Sequence, residues 1–301
     1  MKYKPELGIL IVTILWGASF AVSKLIMADI TPNYYTFLRF AGAFLVLALC
    51  FHKRLRHIPK QTLQAGVLIG LAIACGYVLQ TMGLNYTSAS KAGFLAGLYV
   101  VLVPVMESFL CKTLPRYNMI LGVFLATAGL ALLSLESDFT IGFGDLLVFV
   151  GAVFFAVSMV LISRFASKHD PMALAIIQIG VTALFSLVLA MFTEPGLSLA
   201  QFTPALLGLV LFAILFGTAV NTAVQNWAQG YLTATTAALI FVLEPVFAGV
   251  FGWLLVGDVI GMKQISGSAL IISGMLVTLL LKPGQRPQSK TGHEAQLSGG
   301  S

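Results

Sequence analysis

Two long stretches of the chain read as copies of one five-helix unit, residues 7–135 and 144–281. Gln80-Thr-Met-Gly-Leu-Asn-Tyr-Thr-Ser-Ala-Ser90 recurs 145 residues later as Gln225-Asn-Trp-Ala-Gln-Gly-Tyr-Leu-Thr-Ala-Thr235. Gln, Tyr and Ala match, and Ser88 and Ser90 become Thr233 and Thr235. The same shift pairs Gly122 with Gly267 and Gly129 with Gly274; earlier in each copy a shift of 139 pairs Pro32 with Pro171 and Ser19 with Ser158. An odd number of membrane spans per copy forces the second copy to insert upside down. Inverted repeats of this kind are a common plan of secondary transporters, which bind between the halves near the midplane.

Composition makes the spans membrane spans. The chain is 58% hydrophobic and only 9% charged, where a soluble domain carries about a quarter charged residues. Its mean hydropathy is +0.97. Apolar runs recur along the whole length, each near the roughly 20 residues that cross a bilayer as a helix. They are too long, and alternate too little, for a transmembrane barrel. Ten spans are expected, at 8–28, 33–51, 63–83, 91–111, 118–135, 144–163, 172–192, 205–226, 233–256 and 264–281. The first span is too long for a signal-peptide core and is expected to remain as a helix. The expected fold is therefore an all-α integral membrane protein of ten helices, with repeats over 1–141 and 142–283 and a disordered tail over 284–301.

With the N-terminus inside, thirteen of the seventeen basic residues fall in cytoplasmic segments, from Lys2 and Lys4 through Lys53, Arg54 and Arg56 to Lys282, Arg286 and Lys290. Lys91 and Lys263 sit at outer ends, and Lys24 and Arg39 within spans. This asymmetry gives N-in and C-in. The net charge of +6 follows from topology, so no nucleic-acid partner is implied. Cys50, Cys75 and Cys111 lie in or at the ends of spans without metal or redox spacing, and read as small packing residues.

Ionisable and polar groups in hydrocarbon cost a few kcal/mol on insertion scales, so each needs a reason. Glu244 is about 16 Å deep in span nine, eleven residues from its start at 1.5 Å each. Pro245 follows it, removing a backbone donor and freeing a carbonyl. A carboxyl beside a broken turn can carry a proton or bind a substrate amine; the alternative is a neutral Glu bonded to a neighbouring helix. Its repeat mate is Tyr99, and Pro104 is expected to break the equivalent helix about one turn further on. Gln80 and Gln225 are mates in spans three and eight, with Tyr77 and Asn221 about one turn earlier on the same helices. They read as the polar faces of a shared cavity, or as interhelical glue. Trp16 lies mid-span, away from the interfacial belt, and Ser158 is the mate of Ser19. Arg39, the mate of Gln178, reads as structurally paired with a carboxylate, the alternatives being to snorkel outward or to meet an anionic substrate; Lys24 reads as snorkelling outward, and Glu107 as reaching the cytoplasmic interface.

Enzyme chemistry is not indicated. All four histidines, His52, His57, His169 and His293, lie in loops or the tail, and no HExxH, Walker A or intramembrane nucleophile–base pair occurs. No catalytic residue, cofactor or metal is expected. No filter-like loop or charge ring suggests a channel.

These residues resemble the EamA family of the drug/metabolite transporter superfamily. The resemblance rests on Leu15-Trp-Gly-Ala-Ser-Phe-Ala-Val-Ser-Lys24, Thr31-Pro32, Leu38-Arg39-Phe40 and Tyr86 through Pro104 in the first copy. In the second it rests on Tyr231-Leu-Thr-Ala-Thr235, Leu243-Glu-Pro-Val-Phe247, Gly252-Trp-Leu-Leu255 and Gly257-Asp258. It spans residues 8–281. It implies a ten-helix inverted-repeat fold in a bacterial inner membrane and export or exchange of small metabolites, often amino acids or their derivatives. Related branches carry nucleotide sugars, triose phosphates or cationic drugs, so the substrate does not follow from it.

The expected function is a secondary exporter working by alternating access on a small-molecule substrate. Protons are the candidate coupling ion, the lipid bilayer is the surroundings, and the state is monomer or homodimer. The expected binding residues are Trp16, Tyr77, Gln80, Tyr99, Ser158, Asn221, Gln225 and Glu244. A facilitative exchanger or drug exporter without proton coupling, and a non-transporting membrane scaffold, are the alternatives.

Overall fold

In the computed structural model the described residues are 4–84, 86, 95–112, 117–134, 142–197, 202–256 and 261–280, and all regular structure among them is helical. The helices are α1 (Lys4–Ile26), α2 (Pro32–Cys50), α3 (Lys60–Leu84), α4 (Tyr99–Cys111), α5 (Tyr117–Ser134), α6 (Phe143–Ala166) and α7 (Pro171–Thr193). Then α8 runs as Pro204–Ile214, a π-helical turn Leu215–Ala219 and Val220–Gln229. Helix α9 comes in two segments, Ala234–Phe241 and Glu244–Val256, and α10 is Met262–Leu280. A single turn, His52–Leu55, follows α2.

Among the described residues, seven helices are long and apolar enough to cross a membrane: α1, α2, α3, α6, α7, α8 and α9. Leu95–Leu110, Tyr117–Leu132 and Ile265–Val277 are shorter apolar helices. The expected tail lies outside the described residues, as do Ser88, Ser90 and Lys91.

Several helix starts follow directly from sequence. Proline stands at the first helical position of α2, α7 and α8, where its missing N–H is no loss. Asp170 caps α7 by accepting from Met172 N and Ala173 N, and Thr203 and Thr233 cap α8 and α9. Helix α2 borrows its cap from the other half: the Glu194 carboxylate accepts from Thr31 Oγ1 (2.6 Å), Asn33 N (2.9 Å) and Tyr34 N (3.0 Å). At the opposite end of the same helix pair, Arg54 pairs with Asp170.

The most extensive helix pairings join the two halves: α5 with α10, α3 with α6 and with α7, α2 with α7, and α1 with α9. Glycines let these backbones touch. A Cβ at Gly129 would lie 2.6 Å from Gly267 O, and one at Gly274 would lie 2.6 Å from Gly122 O. Gly83 and Gly144 meet each other's carbonyls in the same reciprocal way, at 2.8 and 2.7 Å. The close approach is the packing mode expected where lipid gives helices no hydrophobic drive to associate.

The helix breaks differ in one respect from the sequence expectation. The α9 break falls at Val242–Leu243, just before Glu244-Pro245, as the proline implies. Pro104, however, sits inside a continuous α4; the first-half break is at Leu98, the mate of Leu243. The local hydrogen bonds repeat under the 145 shift. Leu98 N donates to Leu95 O and Leu243 N to Ile240 O; Val101 N donates to Leu98 O and Val246 N to Leu243 O. Pro104 removes only one bond within its helix, while the turn at Leu98 forms without any proline.

Candidate functional site

The site is built where α9 breaks. Glu244 opens the second segment of α9, with its carboxylate in the first turn, where the helix dipole favours an anion. It is half-buried. Among the described residues it has no hydrogen-bond or ion-pair partner. Glu244 feels the charge of Arg39 on α2, Tyr77 on α3 and Tyr99 on α4 feel that of Glu244, and Tyr35 and Tyr77 interact with Arg39. Ionisable groups on four helices from the two halves thus interact electrostatically.

Arg39 does not snorkel. Its Nε donates to Thr218 Oγ1 (3.1 Å), and Thr218 in turn donates to Ala213 O (3.0 Å). The guanidinium carbon lies 5.6 Å from the Tyr35 ring centroid and 5.1 Å from that of Phe40, within cation–π range. Tyr35 is fixed by a 2.6 Å bond between its hydroxyl and Ser23 Oγ. Tyr77 packs edge-on against Phe40 (5.7 Å) and Phe155 (5.3 Å).

The π-helical turn of α8 supplies the rest. Trp16 Nε1 donates to Gly217 O (3.2 Å), and the Trp16 ring stacks on Phe241 at 4.9 Å, next to the α9 break. A Cβ on Gly217 would lie 2.9 Å from Ser19 Oγ, so α1 packs closely on this turn. Asn221 is fully buried one turn on; its Nδ2 reaches Gly217 O at 3.5 Å and its Oδ1 has no partner. π-helical turns inside α-helices occur often at functional sites.

Of the expected site residues, Trp16 and Tyr99 pack against one apolar cluster, Tyr77 and Tyr99 interact electrostatically with Glu244, and Asn221 lies beside the π-helical turn. Gln225 and Ser158 are engaged elsewhere. Gln225 Nε2 donates to Gln229 Oε1 (3.0 Å), and Gln229 Nε2 donates to Ser163 Oγ (3.0 Å) and Met159 O (3.3 Å), lacing α8 to α6. Ser158 donates to Phe155 O in its own helix. Gln80 is half-buried beside the close α3–α6 contact at Gly151.

Sequence reasoning took Arg39 as structurally paired and kept it out of the binding set, and it left out Tyr35 and Thr218. The available signal was an arginine in an apolar run with a tyrosine one turn away; Thr218 gave none. Gln178, the mate of Arg39, is buried with neither amide atom partnered, so the arginine has no charged counterpart in the second half. Glu107 also differs from expectation. It does not reach for water but caps α9, accepting from Ala234 N (3.2 Å), Thr235 N (2.9 Å) and Thr235 Oγ1 (2.6 Å). Cys50 is exposed and Cys75 half-buried, and the side chain of Cys111 lies outside the described residues.

The profile of the EamA-like transporter family matches residues 4–135 and again 142–280. A protein named "Uncharacterized transporter" from Archaeoglobus fulgidus is 32% identical over 275 residues, covering 91% of this chain and 85% of its own. "Uncharacterized transporter YoaV" from Bacillus subtilis is 27% identical over 282 residues, covering 91% and 96%. A solved structure described only as "Crystal structure of protein" superposes with a TM-score of 0.77 at 20% identity, covering 91% of this chain and 96% of the other, a likeness of fold. On these matches and its many apolar helices, the chain is a multi-pass membrane protein that belongs to the EamA-like transporter family.

Proposed function

We propose that the chain is a secondary transporter that exports or exchanges a small metabolite, an amino acid or derivative, by alternating access. Ten spans form two inverted repeats, with both termini in the cytoplasm. The observation that carries this reading is Glu244, a carboxyl at a helix break with no hydrogen-bond or ion-pair partner among the described residues and in electrostatic interaction with Arg39, Tyr77 and Tyr99 on other helices. A non-transporting scaffold has no use for such a group, which costs a few kcal/mol to hold in a membrane. Glu244 takes up and releases the coupling proton, and Trp16, Tyr77 and Tyr99 shape the cavity.

The reciprocal glycine contacts, and the matching breaks at Leu98 and Leu243, support the inverted-repeat reading. In that arrangement α4 and α9 each hinge at equivalent depth, which lets the cavity open to one side and then the other. The test is efflux from proteoliposomes loaded with a mixed pool of amino acids and related metabolites, with and without an imposed proton gradient. Gradient-accelerated efflux of one compound class is expected. Efflux indifferent to the gradient contradicts coupling, and efflux of nothing contradicts the transporter reading.

A further inference from the structure

We propose that the cavity between the α2–α3 connection and the α6–α7 connection is an anion site that takes a phosphate group. Its source is the headgroup of an anionic phospholipid or a free phosphate. The inference is independent of Glu244 and of what the chain transports.

The cavity holds about 290 Å³, and its lining includes Arg54, His57, Thr62, Lys168, His169 and Asp170. That is near the lower end of small-ligand pockets. Arg54 and His57 lie between α2 and α3, and Lys168 through Asp170 between α6 and α7, so both halves contribute.

The charge of this lining is unbalanced. Asp170 is its one carboxylate among the described residues. Both of its oxygens are already engaged: Oδ1 accepts from Met172 N (2.8 Å) and Ala173 N (3.1 Å), and Oδ2 from Arg54. Lys168 and His57 have no hydrogen bond or ion pair among the described residues. An ammonium and two imidazoles thus line a cavity whose carboxylate is neutralised by Arg54.

His169 is arranged to donate. Its Nδ1 is engaged by Oγ1 of the buried Thr62 (3.0 Å), and its ring lies 6.0 Å from that of Phe165. When the Thr62 hydroxyl donates to Nδ1, the proton sits on Nε2, and the ring donates from there. An anion selects that tautomer. Thr62 belongs to the first turn of α3, the end of a helix whose dipole favours negative charge.

Orientation accounts for basic residues at the end of the bundle read as cytoplasmic, but not for their arrangement. Lys53, Arg56 and Lys60 belong to the same connection and the start of α3, yet do not line the cavity. Those that do are gathered with a buried hydroxyl and an oriented imidazole. A phosphate group matches this set, since its several oxygens accept from ammonium, guanidinium and imidazole donors at once. Basic pockets between membrane helices on the cytoplasmic side bind lipid phosphates by the same chemistry.

The test uses the purified full chain in neutral detergent, as wild type, Lys168→Gln, His57→Gln and the control Lys53→Gln. All three variants replace exposed side chains, so each is expected to fold. Inorganic phosphate is one probe, read by thermal melting against chloride at equal ionic strength. Phosphatidylglycerol mixed with an equal amount of phosphatidylcholine is the other, read by native mass spectrometry of the retained lipid. Saturable binding of at least one probe is expected. It should be about tenfold weaker in Lys168→Gln and in His57→Gln, as loss of a hydrogen bond to a charged group gives, and unchanged in Lys53→Gln. Retained phosphatidylglycerol without a response to phosphate identifies the source as lipid; the reverse identifies free phosphate; both together show that either source is accepted. Binding of neither probe by the folded wild type overturns the site. So does equal weakening in Lys53→Gln, the mark of diffuse surface attraction, or binding that neither Lys168→Gln nor His57→Gln alters. None of these readouts involves transport, so failure here leaves the transporter reading standing.

Discussion

Arg39 and Glu244 stand in the same bundle as the glutamine ladder of α8, but the two sets of polar groups have different work. The ladder is saturated: Gln225 bonds Gln229, which bonds Ser163 and Met159 O. Gln229→Ala is expected to leave buried polar groups unpaired and to cost about 1–3 kcal/mol. This is read as a lower melting temperature in detergent, with substrate preference unchanged. A shifted preference with unchanged melting would place the ladder in the binding site instead. The contrast also shows what was legible at this scale. Glu244 and Trp16 stood out because a carboxyl and an indole N–H at mid-depth each demand a partner. Gln225 raised the same demand, and its answer, Gln229 one turn away, was in the sequence as well. Arg39 was undervalued because its partner comes from a π-helical turn, which hydropathy and spacing do not encode.

At the scale of helices, close contacts and borrowed caps decide the packing. Gly129→Ala places a methyl group 2.6 Å from a backbone carbonyl of α10, an overpacking expected to cost about 1–3 kcal/mol. Gly249→Ala, with nothing within 4 Å, is the control and is expected to be neutral. Equal stability of the two variants in a thermal melt would refute the close α5–α10 contact. Glu107→Ala removes the cap that α4 gives to α9. It is expected to cost about 0.5–2 kcal/mol and to raise hydrogen exchange at Ala234–Phe241; protection unchanged there would rule the cap out as a stabilising contact. The helices themselves were legible from apolar runs and from Pro32, Pro171 and Pro204. The position of the first-half break was not, because Pro104 is tolerated within α4 while the turn at Leu98 arises from tertiary context. Nor was the cap, since depth along one helix does not reveal which neighbour begins beside Glu107.

For the whole molecule, the account requires α2 and α7 to run in opposite senses across the bilayer, tied at one end by Arg54 and Asp170 and at the other by Glu194 and the start of α2. In a chain whose three cysteines are replaced, Lys53→Cys is expected to be labelled by an impermeant thiol reagent only from the cytoplasmic side. Gly196→Cys, whose side chain meets nothing nearby, is expected to be labelled only from the opposite side. Labelling of both from one side would rule out this topology. Lysine and arginine placement carries the orientation expected from sequence, which this labelling tests, and the recurring Gln, Tyr and Ala carry the expected repeat. The electrostatic interaction of Arg39 in one half with Glu244 in the other was not readable, because Gln178 stands where symmetry would place a second arginine.

The central claim is that Glu244 couples substrate movement to protons. It is tested most directly by comparing wild type with Glu244→Gln in proteoliposomes, measuring amino-acid efflux with and without an imposed proton gradient. Glutamine keeps the shape and removes the titratable group. The account predicts that the gradient accelerates efflux by the wild type and has no effect on the variant, which still exchanges substrate. Gradient-driven efflux by Glu244→Gln at the wild-type rate, with the same dependence on pH, would contradict it.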